Sequence, residues 1–360
     1  MKKGRFIILA AAVLALLAGC AKTEPAPGTR ISFQVAKFRS VSKAVPYGNG
    51  YSDVPFGAYA WHNAPNPAND TIFMVNQKVT YDAENDLWAP SGVNYYWPHQ
   101  GSLDFICYSP YDAQHGPEVG KNTIRYTGYD VYANPDVDLL YADKVNCLTE
   151  NYTTSYNGVP IVFRHALARV SFNLRLAYYE KEGTADKTRW EVKLESFELT
   201  GLHSKGTLQL SQNGGVWEMP SGKVWTPDGS TVDLSFDCSS LSIFTDLTPQ
   251  AIGSTFVLPQ AIDDVKAMLK FTISTFRDTG GGYDTTPFII ERDVLLPTVL
   301  SSSALNSWAI NHNVVYNIVL SPSRSSGAGS GTETQDPSII TFDPAVGEWQ
   351  NISIETSIGL

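Results

Sequence analysis

A cysteine at position 20 stands in a context that allows a covalent modification. Leu17-Ala18-Gly19-Cys20 places small residues directly before a thiol. A signal peptidase that prepares a lipoprotein needs small side chains before the cut, and the new terminal residue must offer a thiol for diacylglycerol. We therefore expect Cys20 to become the lipidated first residue, with acyl chains such as palmitate.

The residues before Cys20 are organised as a bacterial signal peptide. Lys2, Lys3 and Arg5 give a basic start, and the apolar run 6–17 follows. This run is shorter than the roughly 18 residues that a membrane-spanning helix needs. Ala21 stands where an aspartate commonly retains lipoproteins at the inner membrane. Residues 1–19 are thus interpreted as a signal peptide, and the outer membrane as the destination.

The chain that follows the signal peptide is acidic. Removing residues 1–19 takes away three basic and no acidic residues, which leaves 23 basic against 36 acidic residues and a net charge of −13. This balance argues against binding of nucleic acid or anionic lipid through bulk charge.

The sequence contains no recognisable catalytic or metal-binding motif. A Walker loop, a GxSxG motif and an HExxH motif are all missing, and the six histidines lack ligand spacing. His165 is interpreted as a turn or capping residue rather than a catalytic base. The acidic segment 82–86 lacks the glycine and the distant glutamate of a calcium loop and is interpreted as a solvated turn. We expect no enzyme activity, no cofactor and no metal.

After lipidation of Cys20, three cysteines remain, Cys107, Cys147 and Cys238. An odd number cannot all pair internally, and none lies in a CxxC spacing. Cys107 lies within an apolar stretch and is interpreted as a buried small hydrophobe. A disulfide between Cys107 and Cys147 is the alternative.

Alternation of apolar and polar residues predicts an all-β fold. Residues 168–176 alternate strictly, so one face of that strand is core and the other solvent. The apolar phase that begins at Trp190 slips before Phe197, which predicts a β-bulge near Ser196. Abundant aromatic residues, 28 glycines and 21 prolines favour short strands joined by turns.

Composition divides the chain into segments. We predict a tether (20–30), a first β domain (31–158), a second β domain (159–321), a flexible linker (322–337) and a strand-forming tail (338–360). Within the first domain, Ile31, Phe33 and Val35 form the first strand, and an exposed loop covers 37–53. The apolar positions of the tail are Ile340, Phe342, Ile352, Ile354 and Ile358.

Several aromatic residues of the first domain could form a sugar-stacking platform. In an all-β protein, such residues more often fill the core, and we favour that interpretation. The residues concerned are Tyr59, Trp61, Tyr95, Tyr96 and Trp97.

A set of short segments, in this order, resembles the fimbrillin-like family, which comprises subunits of type V pili and related surface lipoproteins. The segments are YYWP (95–98), LDF (103–105), YSP (108–110), DLLYA (138–142), VPIVFRHALARV (159–170), FVLPQ (256–260), NVVYNIVL (313–320), ITF (340–342) and Trp349. Together they extend over nearly the whole chain after the signal peptide.

The resemblance implies two tandem transthyretin-like antiparallel β-sandwich domains with a C-terminal strand-forming extension. It also implies an assembly mechanism, in which a protease cuts the loop after the first strand. Loss of that strand opens a hydrophobic groove, and a C-terminal strand of the next subunit fills it. In this chain, the implied first strand contains Ile31, Phe33 and Val35.

The processing site departs from the family pattern. Family pilins are cut after an arginine that precedes a small residue, whereas the nearest equivalent here is Lys43-Ala44 and the arginine of the loop is Arg39. The chain is therefore cut at Arg39 or Lys43, or it stays uncut as a lipid-fixed anchor subunit. Asp70-Thr71-Ile72 also fits the short pattern for O-glycosylation at Thr71 in bacteria that carry such pilins.

The sequence thus predicts a cell-surface fimbrial subunit that supports adhesion and partners with other fimbrillin-like subunits. The alternative is a monomeric, lipid-anchored module that binds glycans or a host protein through its aromatic residues.

Overall fold

Strands account for almost all of the regular structure, which confirms the all-β prediction. Transthyretin-like topology stays a prediction. The computed structural model describes residues 30–35, 54–85, 87–142, 144–149, 158–182, 187–213, 216–218, 225–278, 280–295, 300, 305–321, 341–342 and 350–359.

These residues form twenty-four strands and one short 3-10 helix (Pro67–Asn69), and the strands are numbered in chain order. The strands are β1 (Phe33–Val35), β2 (Phe56–Asn63), β3 (Thr71–Asp82), β4 (Leu87–Pro90), β5 (Ser102–Ser109), β6 (Glu118–Gly120), β7 (Thr123–Asp130), β8 (Leu140–Ala142), β9 (Val145–Leu148), β10 (Val159–Ile161), β11 (Phe163–His165), β12 (Ala168–Leu176), β13 (Glu180–Glu182), β14 (Lys187–Asn213), β15 (Val216–Glu218), β16 (Trp225–Phe236), β17 (Gln250–Val257), β18 (Gln260–Ala261), β19 (Lys266–Asp278), β20 (Phe288–Leu295), β21 (Ser307–Trp308), β22 (His312–Ser321), β23 (Thr341–Phe342) and β24 (Gln350–Gly359).

The first sheet contains nine strands among the described residues. Its strands run in the order β10-β1-β4-β3-β2-β5-β8-β11, and β9 pairs with β5. The two end strands, β10 and β11, are separated in sequence by Val162 alone. One chain segment therefore supplies both ends of the sheet, and the apolar core that includes Phe33, Phe56 and Phe105 lies against this sheet.

The second half of the chain packs two sheets face to face. One sheet has the order β17-β12-β22-β24-β23, and the other has β20-β19-β14-β7-β6 with β13, β15 and β16 also paired to β14. The buried residues of β12 alternate as predicted, and Phe172 stacks on Tyr316 of β22 with ring centroids 5.1 Å apart. It also contacts Phe197 of β14 at 4.7 Å, so the two sheets share one core.

A single 27-residue strand, β14, joins the two halves of the molecule. Its first part pairs with β19 and its last part with β7, which comes from the first half of the sequence. The register with β19 shifts between Leu194 and Ser196, which confirms the predicted bulge. Because β7 pairs with β14, and β10 and β11 complete the first sheet, the segments 31–158 and 159–321 exchange strands. The domain boundary near 158 stays a prediction.

The C-terminal tail forms strands at one edge of the second half. β24 runs parallel to β22 over ten residue pairs, in which Ile352, Ile354 and Ile358 pair with Val314, Tyr316 and Leu320. β23 pairs with β24 through two residues only. The tail is thus a paired strand here, and its role as a donor stays a prediction.

Two local predictions are decided by the structure. The carboxylate of Asp82 accepts hydrogen bonds from the backbone of Glu84 and from Asn85, which confirms a turn at 82–85. Cys107 is a buried free thiol, so the alternative of a Cys107 to Cys147 disulfide is wrong. Burial raises the pKa of the Cys107 thiol well above its usual range.

Adding a methyl group at Gly57 should destabilise the first sheet. A Cβ at this position of β2 would overlap the ring of Tyr108, whose hydroxyl donates to Asn76 Oδ1 at 2.6 Å and cannot move freely. Overpacking of this kind costs about 1–3 kcal/mol, so Gly57→Ala should lower the free energy of unfolding by that amount in urea titrations. Gly281→Ala is the matched control, because open space surrounds Gly281. An equal effect of both substitutions would contradict the packing argument.

Candidate functional site

The candidate site is the place that β1 occupies between β4 and β10. Phe33 pairs in parallel with Val159 of β10 and antiparallel with Trp88 of β4. Ile31 and Phe33 are both 0% exposed. The first strand is therefore an interior strand of a sheet, although it is only three residues long.

Aromatic rings surround the side chain of Phe33. The rings of Phe56 and Phe105 meet it edge to face, with centroid distances of 5.6 Å and 5.7 Å. Phe56 contacts Trp88 and Phe163 in turn, at 5.3 Å and 5.4 Å. Edge-to-face contacts are favourable for aromatic rings and fix their orientation. Phe33 is thus the centre of an aromatic cluster that spans β1, β2 and β5.

Backbone hydrogen bonds hold the residues before β1. The amide of Ile31 donates to the carbonyl of Tyr95 at 2.8 Å, and the amide of Val159 donates to the carbonyl of Ser32 at 2.8 Å. Gly158 has φ +124°, and a Cβ there would lie 2.8 Å from the carbonyl oxygen of Ser32. A glycine is therefore required where β10 approaches this segment.

The structure includes only part of the sites predicted from sequence. Cys20, Arg39, Lys43 and Ile340 lie outside the described residues. Phe342 lies in β23, and the isoleucines at 352, 354 and 358 lie in β24. The structure does not bring the tail to the β1 site, because the tail lies on β22.

Thr71 is exposed at the first position of β3. The preceding Asp70 accepts hydrogen bonds from Lys121 at 3.2 Å and from the amide of Ala64, and these bonds lower the pKa of its carboxyl, that from Lys121 most. An enzyme could therefore reach the Thr71 hydroxyl on a well-ordered turn. Glycosylation at Thr71 stays a prediction.

The aromatic residues considered for sugar stacking mostly fill the interior, as the core interpretation predicts. Trp97 is 2% exposed, so it cannot stack on a sugar. Tyr59 is buried, and Trp61 stacks on it with centroids 6.3 Å apart. Tyr95 packs on Phe73, and only Tyr96 of the five is exposed. A five-residue platform is therefore not present.

His165 has a role that sequence reasoning missed. It is the last residue of β11, and its Nδ1 lies 2.8 Å from the carboxylate of Asp138, which is 0% exposed. Burial raises the pKa of Asp138, and the hydrogen bond from His165 opposes part of that rise. The pair lies where β11 meets β8. Because the two residues are 27 positions apart, no local sequence pattern predicts their contact.

Other chemistry is sparse in the part of the chain that the structure describes. No group of three or more His, Cys, Asp or Glu residues there could hold a metal ion. No helix among those residues is long and apolar enough to cross a membrane. The feature with the clearest functional geometry is therefore the β1 site.

Asp138→Asn should change how stability depends on pH. The folded-state pKa of Asp138 lies above its ordinary value of 3.8, so the folded chain holds this proton more tightly than the unfolded chain. The stability from this carboxyl is present below pH 3.8 and is lost as pH rises through the folded pKa. Urea titrations between pH 3 and 6 give the free energy of unfolding of the native chain and of Asp138→Asn. The value for the native chain minus the value for the variant should fall as pH rises.

Asp237→Asn is the control of opposite sign. A hydrogen bond from Ser239 lowers the pKa of the exposed Asp237. The corresponding difference should therefore grow as pH rises. Slopes of the same sign for both variants would show that Asp138 does not behave as a buried carboxyl.

Comparison with known proteins places the chain in a family. A candidate cell adhesion protein of Bacteroides uniformis ATCC 8492 is 18% identical, with 81% of this chain and 93% of that chain covered and a TM-score of 0.42. One from Bacteroides ovatus ATCC 8483 is 15% identical, with 81% and 91% covered and a TM-score of 0.40. A fimbrial protein of Bacteroides ovatus ATCC 8483 is 11% identical, with 81% and 48% covered and a TM-score of 0.27.

The comparison with curated proteins gave no match. All three structures have TM-scores below 0.5, so the assignment rests on the family model. That model, described as fimbrillin-like, matches residues 48–349. The protein belongs to the fimbrillin-like family.

Proposed function

We propose that this chain is the precursor of a fimbrial subunit of the type V pilus class, without enzyme activity. In this proposal, lipid on Cys20 holds it at the outer membrane, a protease removes the first strand, and the subunit polymerises by donor-strand exchange with other fimbrillin-like subunits. The resulting fimbrium supports adhesion. Family membership supports the fimbrial role, and the β1 site supports the mechanism.

The observation that carries the proposal is that a long stretch of sequence separates β1 from the other strands of its sheet. Among the described residues, the next strand of that sheet along the chain is β2, which begins at Phe56, so twenty residues separate it from Val35. A cut within 36–53 would therefore leave β1 attached to the sheet through noncovalent contacts alone. Three residue pairs with β10 and one with β4 hold it.

Loss of β1 would leave an unstable gap. The facing edges of β4 and β10 would expose unpaired backbone groups, and the pocket around Phe56 and Phe105 would lose its central ring. An incoming strand would pair with these backbone groups and place a side chain in the position of the lost ring. The main-chain hydrogen bonds give affinity, and the alternate side-chain pockets give register. The gap therefore favours a strand donor over a small ligand.

The tail has the properties that a donor needs. Within the described residues, β24 pairs on one side with β22 and on the other with the two residues of β23. The Gly- and Ser-rich segment 322–337 connects it to β22, and such composition favours a flexible linker.

The N-terminus of the protein extracted from native outer membranes tests the processing step. A start shortly after Arg39 or Lys43, without lipid, is expected for polymerised subunits, whereas acylated Cys20 is expected for the precursor. Intact mass and N-terminal sequencing give both answers. If every polymerised subunit began at acylated Cys20, the chain would be an uncut anchor subunit and strand removal would be excluded.

Deletion of residues 336–360 tests the donor. The truncated chain should reach the surface as a folded monomer and should fail to polymerise, because no strand is left to fill the gap of its neighbour. Electron microscopy of surface fibres and gel filtration of the extracted protein measure the two outcomes. Fibres of unchanged length would contradict donor-strand exchange through the tail.

A further inference from the structure

The tail contains a near copy of the segment that fills the β1 site. Residues 29–33 read Thr-Arg-Ile-Ser-Phe, and residues 338–342 read Ser-Ile-Ile-Thr-Phe. The isoleucine and the phenylalanine coincide, and a hydroxyl residue stands between them in both segments. In the first segment, these two apolar residues are Ile31 and Phe33, which are fully buried in the site.

We propose that the 340–343 segment of one subunit takes the place of β1 in the next subunit, in the same chain direction. This inference rests on the proposed function and specifies which part of the tail is the donor. Ile340 replaces Ile31, and Phe342 enters the aromatic pocket in place of Phe33. The incoming strand is parallel to β10 and antiparallel to β4, as β1 is.

The backbone contacts of the site accept this replacement. The amide of Ile340 takes over the hydrogen bond to the carbonyl of Tyr95, and the carbonyl of Thr341 accepts the amide of Val159. Asp343 stands opposite Pro160, where Gln34 stands now. Pro344 takes the place of Val35, the last residue of β1, and has no amide hydrogen, so the match covers residues 31–34 and ends one residue before β1 does.

The competing donor is Ile352-Ser353-Ile354 in β24, which has the same alternation. It places an isoleucine, not a ring, against the edges of Phe56 and Phe105. β24 is also engaged with β22 through ten residue pairs, whereas β23 is held by two. Among the described residues, release of β23 therefore breaks fewer residue pairs than release of β24.

The chain lengths allow β24 to stay on β22 while the donor segment reaches a neighbour. Residues 322–339 precede the segment, and an extended chain of that length spans at most about 60 Å. Residues 344–349 follow it and span at most about 20 Å. The donor is thus tethered at both ends close to its own subunit.

Paired cysteines in the full chain test this assignment. Both test chains carry Cys147→Ser and Pro160→Cys. One adds Asp343→Cys, which the proposed register places beside position 160 of the next subunit. The other adds Glu355→Cys, which would lie there if Ile354 filled the pocket. Surface fibres are oxidised, or treated with a short bis-maleimide, and separated under denaturing conditions with and without reductant.

The 160/343 chain is expected to give a covalent ladder, and the 160/355 chain is expected to give none. A ladder from the 160/355 chain alone would overturn the assignment and leave donor-strand exchange intact. Fibres that give no ladder with either chain, or a link within single subunits, would also overturn it. A wild-type chain that forms no fibres would instead refute the proposed function.

A second pair of variants gives an answer if the cysteine chains fail to fold. Phe342→Ala removes the proposed ring and should reduce the yield of fibres at least tenfold, while the monomer still reaches the surface. Ile354→Ala is the matched control and should reduce the yield by less than threefold. The reverse order of effects would identify β24 as the donor.

Discussion

The N-terminal half of the molecule depends on one constraint, namely that the backbone of β4 and β10 must be paired. A sheet edge buried against an apolar core carries unpaired polar groups at a high cost. β1 lies between these two strands and pairs with both of them through only three residues. The chain later returns as β10 and β11, which form the two ends of the sheet. If β1 is removed as proposed, the facing edges of β4 and β10 lose this partner.

The two halves of the molecule are linked by shared strands and a shared apolar cluster. β14 extends from the core around Phe172 to the pair with β7, where Leu208 and Ile124 join a third apolar cluster. The second half therefore provides a fixed surface on which the first sheet rests. The proposed gap at β1 would lie on the other face of that sheet, among Phe56, Phe105 and the other residues that now surround Phe33. We infer that opening the gap leaves the contact between the halves in place.

Local sequence patterns predicted many of the strands, but contacts between residues distant in sequence could not be predicted. The alternation in 168–176 and the phase slip near Ser196 follow from side-chain periodicity, which a short window records. The pairing of β7 with β14 and of β1 with β10 joins residues more than 70 positions apart, and nothing in either segment specifies the partner. For the same reason, the burial of Ile31 and Phe33 could be predicted, but the rings around Phe33 could not. The Asp138 and His165 pair was missed because each residue alone resembles a turn residue.

The exposed edge at β20 shows how an unwanted donor is excluded. Phe288 and Ile289 are 63% and 59% exposed, and an apolar strand edge invites pairing with another chain. The middle of β20, however, reads Glu291-Arg292-Asp293. Antiparallel pairing of two copies about Glu291 would place two glutamates opposite each other, and pairing about Arg292 would place Glu291 opposite Asp293. Like charges directly opposite destabilise a strand pair. Apolar side chains surround β1 instead, so the proposed gap would lack this repulsion and would accept an apolar strand more readily than the β20 edge.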